Sequence, residues 1–213
     1  MLTKYTALFI GIFLLTSGFI VTHSKRTKPP LKKIPVVEIY DLNNRHTTLP
    51  NVSKGKVTII DCWFIPCPPC FREMELMHEL YYKYNNSKDV QVISICRSDT
   101  AVFRKFIQHD PHLATFTSWF HDYSKQKKYA LPTYFIPHCN ERIYTGDTKY
   151  PSKNPDDETK CPDMLFHFRG YPTVIIADRN GKIVYQKTGY TSEQKNFYKQ
   201  EINKAIQKAL AAK

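Results

Sequence analysis

Residues 57–84 read VTIIDCWFIPCPPCFREMELMHELYYKY, and the architecture follows from them. Val57 to Trp63 is an unbroken β-prone run, the pattern of a strand buried on both faces. It leads into Cys67-Pro68-Pro69-Cys70, after which Phe71, Met74, Met77, Leu80 and Tyr81 recur at helical spacing as far as about Asn85. Sulfur is thereby placed at a helix amino terminus. Backbone N–H groups there lack partners and the helix dipole adds about half a positive charge, so Cys67 ionises more easily than a free thiol. Cys70, one turn on, can attack a disulfide formed on Cys67 but is too deep to be the usual point of entry. The two can cycle between dithiol and disulfide.

Pro68 and Pro69 suit a first helical turn, where an N–H would be unpaired anyway, and they stiffen the link between the sulfurs. They also remove two donors, leaving mainly the N–H of Cys70 to stabilise a Cys67 thiolate. That predicts a reductant or mild exchanger. Asp61 lies six residues before Cys67 on the incoming strand. Buried behind the motif, its carboxyl would have a raised pKa and could accept the proton of Cys70 as that thiol becomes the attacking thiolate; an Asp merely hydrogen-bonded at a strand end is the alternative. Zinc sites also use Cys-x-x-Cys, but they add a second such pair or a histidine pair, and the chain has no second Cys-x-x-Cys. No metal and no cofactor are expected at Cys67 and Cys70.

Upstream, Ile34 to Tyr40 reads as a strand, Asp41 to Asn44 as a turn and Arg45 to Leu49 as a returning strand, an amino-terminal hairpin. Downstream, Val90 to Cys96 is a second buried strand, and Asp99 can cap a helix carrying Val102, Phe103, Phe106 and Ile107. Alternating strand and helix implies right-handed βαβ units and a parallel core. Thr173 to Asp178 and Lys182 to Lys187 flank Arg179-Asn180-Gly181, a hairpin signal, and Thr191 opens a final helix with Gln194 placed for a capping box. The sheet is therefore expected to be mixed. Residues 147–163 are polar and proline-rich and read as a loop.

The composition, 42% hydrophobic and 14% aromatic over 213 residues, suffices for one domain with its own core, taken as residues 34–213. Residues 1–33 read as a signal anchor or signal peptide with a basic linker. Twenty residues between Lys4 and Lys25 carry no Asp, Glu, Lys or Arg, and as a helix they would span about 30 Å, one hydrocarbon core. No clear A-x-A cleavage site follows, which favours an uncleaved anchor over a cleaved signal. Lys25, Arg26, Lys28, Lys32 and Lys33 after the run would by charge bias hold the domain in the cytoplasm, yet long domains translocate largely regardless of charge, and export is the reading adopted. Half of the net charge of +12 belongs to these first 33 residues. The remaining lysines are scattered among acids with no basic stripe and no nucleic-acid module, so a solvated basic surface suited to anionic lipid is expected and nucleic acid is not a partner.

Residues 57–84, followed in correct order by Gly170-Tyr171-Pro172-Thr173 and then VIIADRNGKIVY, resemble the membrane-anchored thioredoxins of bacterial envelopes, the TlpA- and ResA-like group. The resemblance covers roughly residues 34–210. It implies a thioredoxin-like α/β fold, a central mixed sheet flanked by helices, with the amino-terminal hairpin and an insertion at about 128–163 before the cis-proline segment. It implies further that Pro172 is cis and faces the cysteines, and that the backbone beside it, at Tyr171, pairs with substrate. Pro66 stands where the family usually has Trp, so the substrate surface around Cys67 is altered. Pro132, in Leu131-Pro132-Thr133-Tyr134-Phe135-Ile136, is the rival for the cis position; only Pro172 is followed by a hairpin and a terminal helix.

Cys139 and Cys161 fall in or beside the insertion and are candidates for a structural disulfide, which in an exported, loop-rich segment stabilises most. A second redox pair relaying electrons, or a zinc or copper site with His138, are the other readings. Cys62 and Cys96 sit on buried-strand patterns and read as inert core thiols. The function expected is a monomeric thiol-disulfide oxidoreductase at the bacterial inner membrane, facing the periplasm. It would reduce or exchange disulfides in envelope proteins, with apocytochrome c a client the resemblance implies, and draw electrons from an upstream thiol donor. Its rivals are a thiol peroxidase, disfavoured because no P-x-x-x-T-x-x-C arrangement is present, and a non-catalytic binding or metal-carrier module.

Overall fold

A computed structural model describes residues 31–65, 67–108, 110, 129–137, 139 and 160–212. Pro66, His138, the apolar amino-terminal run and most of the expected insertion lie outside the described residues. Among those described, no helix is long and apolar enough to cross a membrane.

Seven strands form one mixed sheet. In chain order they are β1 (Glu38–Asp41), β2 (His46–Thr48), β3 (Val57–Trp63), β4 (Val90–Cys96), β5 (Thr133–Phe135), β6 (Thr173–Ala177) and β7 (Ile183–Thr188), and their spatial order is β2-β1-β5-β4-β3-β6-β7. Among the described residues the α-helices are α1 (Leu49–Ser53), α2 (Pro68–Tyr84), α3 (Thr100–Ile107), α4 (Pro162–Leu165) and α5 (Lys195–Ala211). β3 runs parallel to β4 and β4 to β5, while β3 and β6 are antiparallel. Every residue of β3 is buried, as its uninterrupted apolar run requires.

Alternation along β3 sorts its side chains between two layers. Val57 and Ile59 pack with Leu76, Met77 and Leu80 of α2 and with Ile202 of α5. On the opposite face Ile60 and Cys62 lie with Leu49, Phe166 and Ile175. At the carboxyl end of β3 an aromatic group takes over: Trp63 meets Phe71, Phe103, Phe106 and Tyr129 at centroid separations of 5.5–6.1 Å. The indole N–H of Trp63 donates to Ser94 Oγ at 2.6 Å, which satisfies its one donor without water.

The structure corrects several expectations. The strand expected from Ile34 is split, because Pro35 has no N–H to continue a ladder. Ile34 instead donates to the Gly181 carbonyl at 2.9 Å, and only Glu38–Asp41 enters the sheet as β1. Gly181 has φ +75°, and a Cβ there would meet Ile34 Cγ1 at 3.0 Å, so this turn requires glycine. The returning strand ends at Thr48, since Leu49 with Pro50 starts α1. The stretch from 128 read as insertion contains β5, a strand inside the sheet between β1 and β4. Three residues give too short a pattern to register as a strand. The loop read at 147–163 ends in structure, because Pro162 and Asp163 begin α4. The capping box at Thr191 does not form: Ser192–Gln194 make a 3₁₀ turn, and α5 starts at Lys195.

Candidate active site

Cys67 is the N-cap of α2, with Pro68 and Pro69 in its first turn. Cys67 and Cys70 are joined by a disulfide with their Cα atoms 5.3 Å apart. Each is 3% exposed, so burial does not separate an entry thiol from a deep one. The Cys70 N–H, the donor that the prolines spare, goes to the Cys67 carbonyl at 3.0 Å. In this state that N–H is occupied within the turn.

Asp61 faces α2 from β3, one step beyond Ile59 on the same side of the strand. It is 2% exposed and burial pushes its carboxyl up to about 7. Its Oδ1 has no hydrogen-bond partner, so the alternative of a carboxylate satisfied at a strand end does not describe that oxygen. A second buried carboxyl lies near it, outside the Cys-Pro-Pro-Cys motif and the strand before it. Glu73 is 1% exposed and neither of its oxygens has a hydrogen-bond partner, although the Tyr198 hydroxyl stands close by. Burial, and after it the Asp61 charge, raises the Glu73 carboxyl far above the usual range. The chain does carry a signal for it: Glu73 follows Cys70 by three positions and shares the face of α2 that carries Met74 and Met77. An acid on the buried stripe of an amphipathic helix is an exception to the pattern that defines the stripe.

The Tyr171–Pro172 peptide is cis. Pro132 instead leads into β5, its carbonyl accepting the Ser94 N–H at 2.8 Å. In the β3–β6 ladder Thr173, the residue after Pro172, lies opposite Cys62, so the Pro172 turn sits at the strand end that leads to Cys67. The Tyr171 ring meets Phe64 edge-on at 5.2 Å and Phe168 at 5.1 Å. Its hydroxyl donates to Asp163 Oδ1 at 3.0 Å. The structure thus brings Cys67, Cys70, Asp61, Tyr171 and Pro172 to one end of the sheet and adds Glu73.

Cys139 and Cys161 are joined by a second disulfide, with Cα atoms 5.0 Å apart. Cys62 and Cys96 are free and buried. Burial, then the Asp61 charge, pushes the Cys62 thiol well up, which keeps it protonated and unreactive. Among the described residues no group of three or more His, Cys, Asp or Glu is placed to hold a metal ion, and His138 lies outside them.

Sheet order, a disulfide across the first turn of α2 and a cis-proline beside the same strand end define a thioredoxin-like protein. The chain belongs to the AhpC/TSA family, whose profile matches residues 30–186. It is similar to a thiol-disulfide oxidoreductase ResA of Bacillus cereus, with 32% identity over 90 residues, 42% of this chain and 50% of that protein. ResA of Bacillus anthracis gives the same identity over the same length. The chain thus spans about half the length of the ResA proteins that it matches. In three dimensions it is similar to a Chlorobium tepidum chain assigned as a thiol:disulfide interchange protein of the DsbE type, at TM-score 0.53 and 21% identity, covering 86% of this chain and 99% of that one. The thioredoxin domain of a thiol-disulfide oxidoreductase from Bacteroides vulgatus gives TM-score 0.51 and 17% identity, with 84% of this chain and 99% of that one covered. These likenesses at low identity concern the fold.

Proposed function

We propose that this protein is a thiol-disulfide oxidoreductase that works through Cys67 and Cys70. The observation that carries the reading is the Cys67–Cys70 disulfide at the start of α2, backed by two buried carboxyls. Starting from the dithiol, the Cys67 thiolate attacks one sulfur of a substrate disulfide, forms a mixed disulfide and expels the other sulfur as thiolate. Cys70 then gives its proton to the buried carboxyl system, Asp61 being the acceptor nearer neutrality, and its thiolate attacks Cys67 Sγ. The substrate leaves with two thiols and the protein keeps the disulfide, which an upstream dithiol donor reduces again by the same exchange. No cofactor enters these steps. Pro172, Tyr171 and Pro66 would form the surface on which the substrate lies, and the protein would act as a monomer.

The place of action we propose is the cell envelope, at the inner membrane facing the periplasm, with Lys4 to Lys25 as anchor or as a signal that is removed. Disulfide-bearing envelope proteins would be the substrates, apocytochrome c among them. Two disulfides in one small domain suit an oxidising compartment.

The test is thiol trapping of the detergent-solubilised full chain, equilibrated across a glutathione series and read by mass spectrometry, with Cys67→Ala as control. A reversible two-electron transition absent from Cys67→Ala supports the reading and supplies the potential. No transition at Cys67 and Cys70 would sink it in favour of a binding module. Consumption of hydrogen peroxide by the reduced protein at a rate above its disulfide exchange would favour a peroxidase, the reading that the AhpC/TSA family name keeps open.

A further inference from the structure

The second disulfide reaches the first site through one short helix. Cys161 is the N-cap of α4, its carbonyl accepting from the N–H groups of Met164 at 3.0 Å and Leu165 at 2.9 Å. Cys139, to which it is bonded, follows β5 closely, its N–H donating to the Ile136 carbonyl at 3.2 Å. The bond therefore ties the first turn of α4 to the end of a sheet strand. A helix of four residues has little stability of its own and needs such a tether to keep one orientation.

What the tether orients is Asp163, the second residue of α4. Its Oδ1 accepts the Tyr171 hydroxyl at 3.0 Å and lies 3.6 Å from Arg97 Nη1. Arg97 is fixed in turn by its backbone N–H, which donates to the Trp63 carbonyl at 2.9 Å, and its guanidinium stands 5.9 Å from the centre of the Tyr171 ring. Tyr171 is the residue of the cis peptide, and Phe64, against which its ring rests, precedes Cys67 by three positions. Asp163, Arg97 and Tyr171 thus stand beside the loop that presents Cys67, and Asp163 and Arg97 are both about a quarter exposed at 24% and 26%. A polypeptide brought to Cys67 would pass this wall, whereas a small disulfide need not touch it.

We propose that Asp163 is a positioning residue for substrate binding: seated by the Cys139–Cys161 disulfide, it fixes Tyr171 and Arg97 beside the Tyr171–Pro172 peptide. It thereby sets the affinity for disulfides carried on a polypeptide, and leaves the reactivity of Cys67 and Cys70 alone. The proposal rests on the oxidoreductase reading above. It gives the second disulfide a task in recognition and requires no electron transfer through it.

The experiment compares dithiothreitol-driven turnover of two probes by the full chain: insulin, a disulfide on a polypeptide, and 2-hydroxyethyl disulfide, a small neutral one. Asp163→Ala should raise KM for insulin about tenfold, the size of one hydrogen bond to a charged group, with kcat and turnover of the small probe unchanged. Asp163→Asn, which keeps an acceptor for the Tyr171 hydroxyl, should recover most of that loss, and Tyr171→Phe, which takes a hydroxyl from the substrate surface itself, should raise KM for insulin by a similar factor. Cys139→Ser with Cys161→Ser should behave as Asp163→Ala if the doubly substituted chain folds; the Asp163 and Tyr171 variants decide the matter if it does not. An insulin KM equal to wild type in Asp163→Ala, or equal losses on both probes, would overturn the proposal while the oxidoreductase reading stands. Wild-type protein that turns over neither probe removes both.

Discussion

Asp61 on β3 and Glu73 on α2 are two buried carboxyl groups within electrostatic reach of each other, and the ionisation of Glu73 is opposed by the charge of Asp61. Of their four oxygens, Asp61 Oδ1 and both oxygens of Glu73 have no hydrogen-bond partner. Leaving such groups unpaired costs most when they are charged, so burial favours their protonated forms. Two such groups in the core next to a cysteine pair lower stability wherever either of them ionises.

Stability should fall as pH rises across the Asp61 window. The folded carboxyl titrates near 7 and an ordinary one at 3.8, so between these values the folded state binds the proton that the unfolded chain releases. Asp61→Asn imitates the protonated form and should flatten the decline, stabilising the protein by on the order of 2–4 kcal/mol at pH 8 and by little at pH 4. Urea unfolding of the oxidised protein at both pH values measures this. A variant no more stable than wild type at pH 8 would show that Asp61 is not held neutral.

The step in which Cys70 resolves the mixed disulfide should carry the same titration. With Asp61 as acceptor, its rate rises to a plateau with a midpoint near pH 7, and Asp61→Asn removes that inflection and slows the step by roughly a hundredfold. Stopped-flow release of substrate thiol across pH, for Asp61→Asn and Glu73→Gln in parallel, reads it directly. Loss of the inflection only in Glu73→Gln would transfer the role to Glu73.

Substituting the cysteines singly should separate attack from resolution. Cys67→Ser is expected to abolish turnover of a disulfide substrate, whereas Cys70→Ser should accumulate a mixed disulfide on Cys67, visible by mass spectrometry under non-reducing conditions. An adduct on Cys70 in Cys67→Ser, formed as fast as that on Cys67 in the converse variant, would contradict the assignment of the entry thiol. The equal 3% exposure of the two residues makes this measurement necessary.

Cys139→Ser with Cys161→Ser should cost roughly 3 kcal/mol of stability, since a bond across a sequence separation of 22 restricts the unfolded chain by about that amount in the chain-entropy model. Urea denaturation with the Cys67–Cys70 bond kept intact gives the value. A cost near zero would mean that native strain cancels the restriction.

Elements whose patterns are local and long are legible in the chain before it folds. Val57–Trp63 and Val90–Cys96 emerge as strands with the expected ends because unbroken apolar runs are buried on both faces, and α2 starts where two prolines and a cysteine allow a helix to start. The Cys67–Cys70 pair and Asp61 are readable for the same reason, being close in sequence. What depends on distant partners is settled only by three-dimensional packing. β5 has three residues and exists because β1 and β4 pair with it from either side, and a segment that short carries no periodicity of its own. Glu73 becomes a recognisable member of the site only once α2 is laid over β3, facing Asp61. Asp163 falls in a stretch that reads as a polar loop, and its meeting with Tyr171 and Arg97 follows from a disulfide that fixes α4, a constraint between residues whose spacing alone does not specify whether they bond.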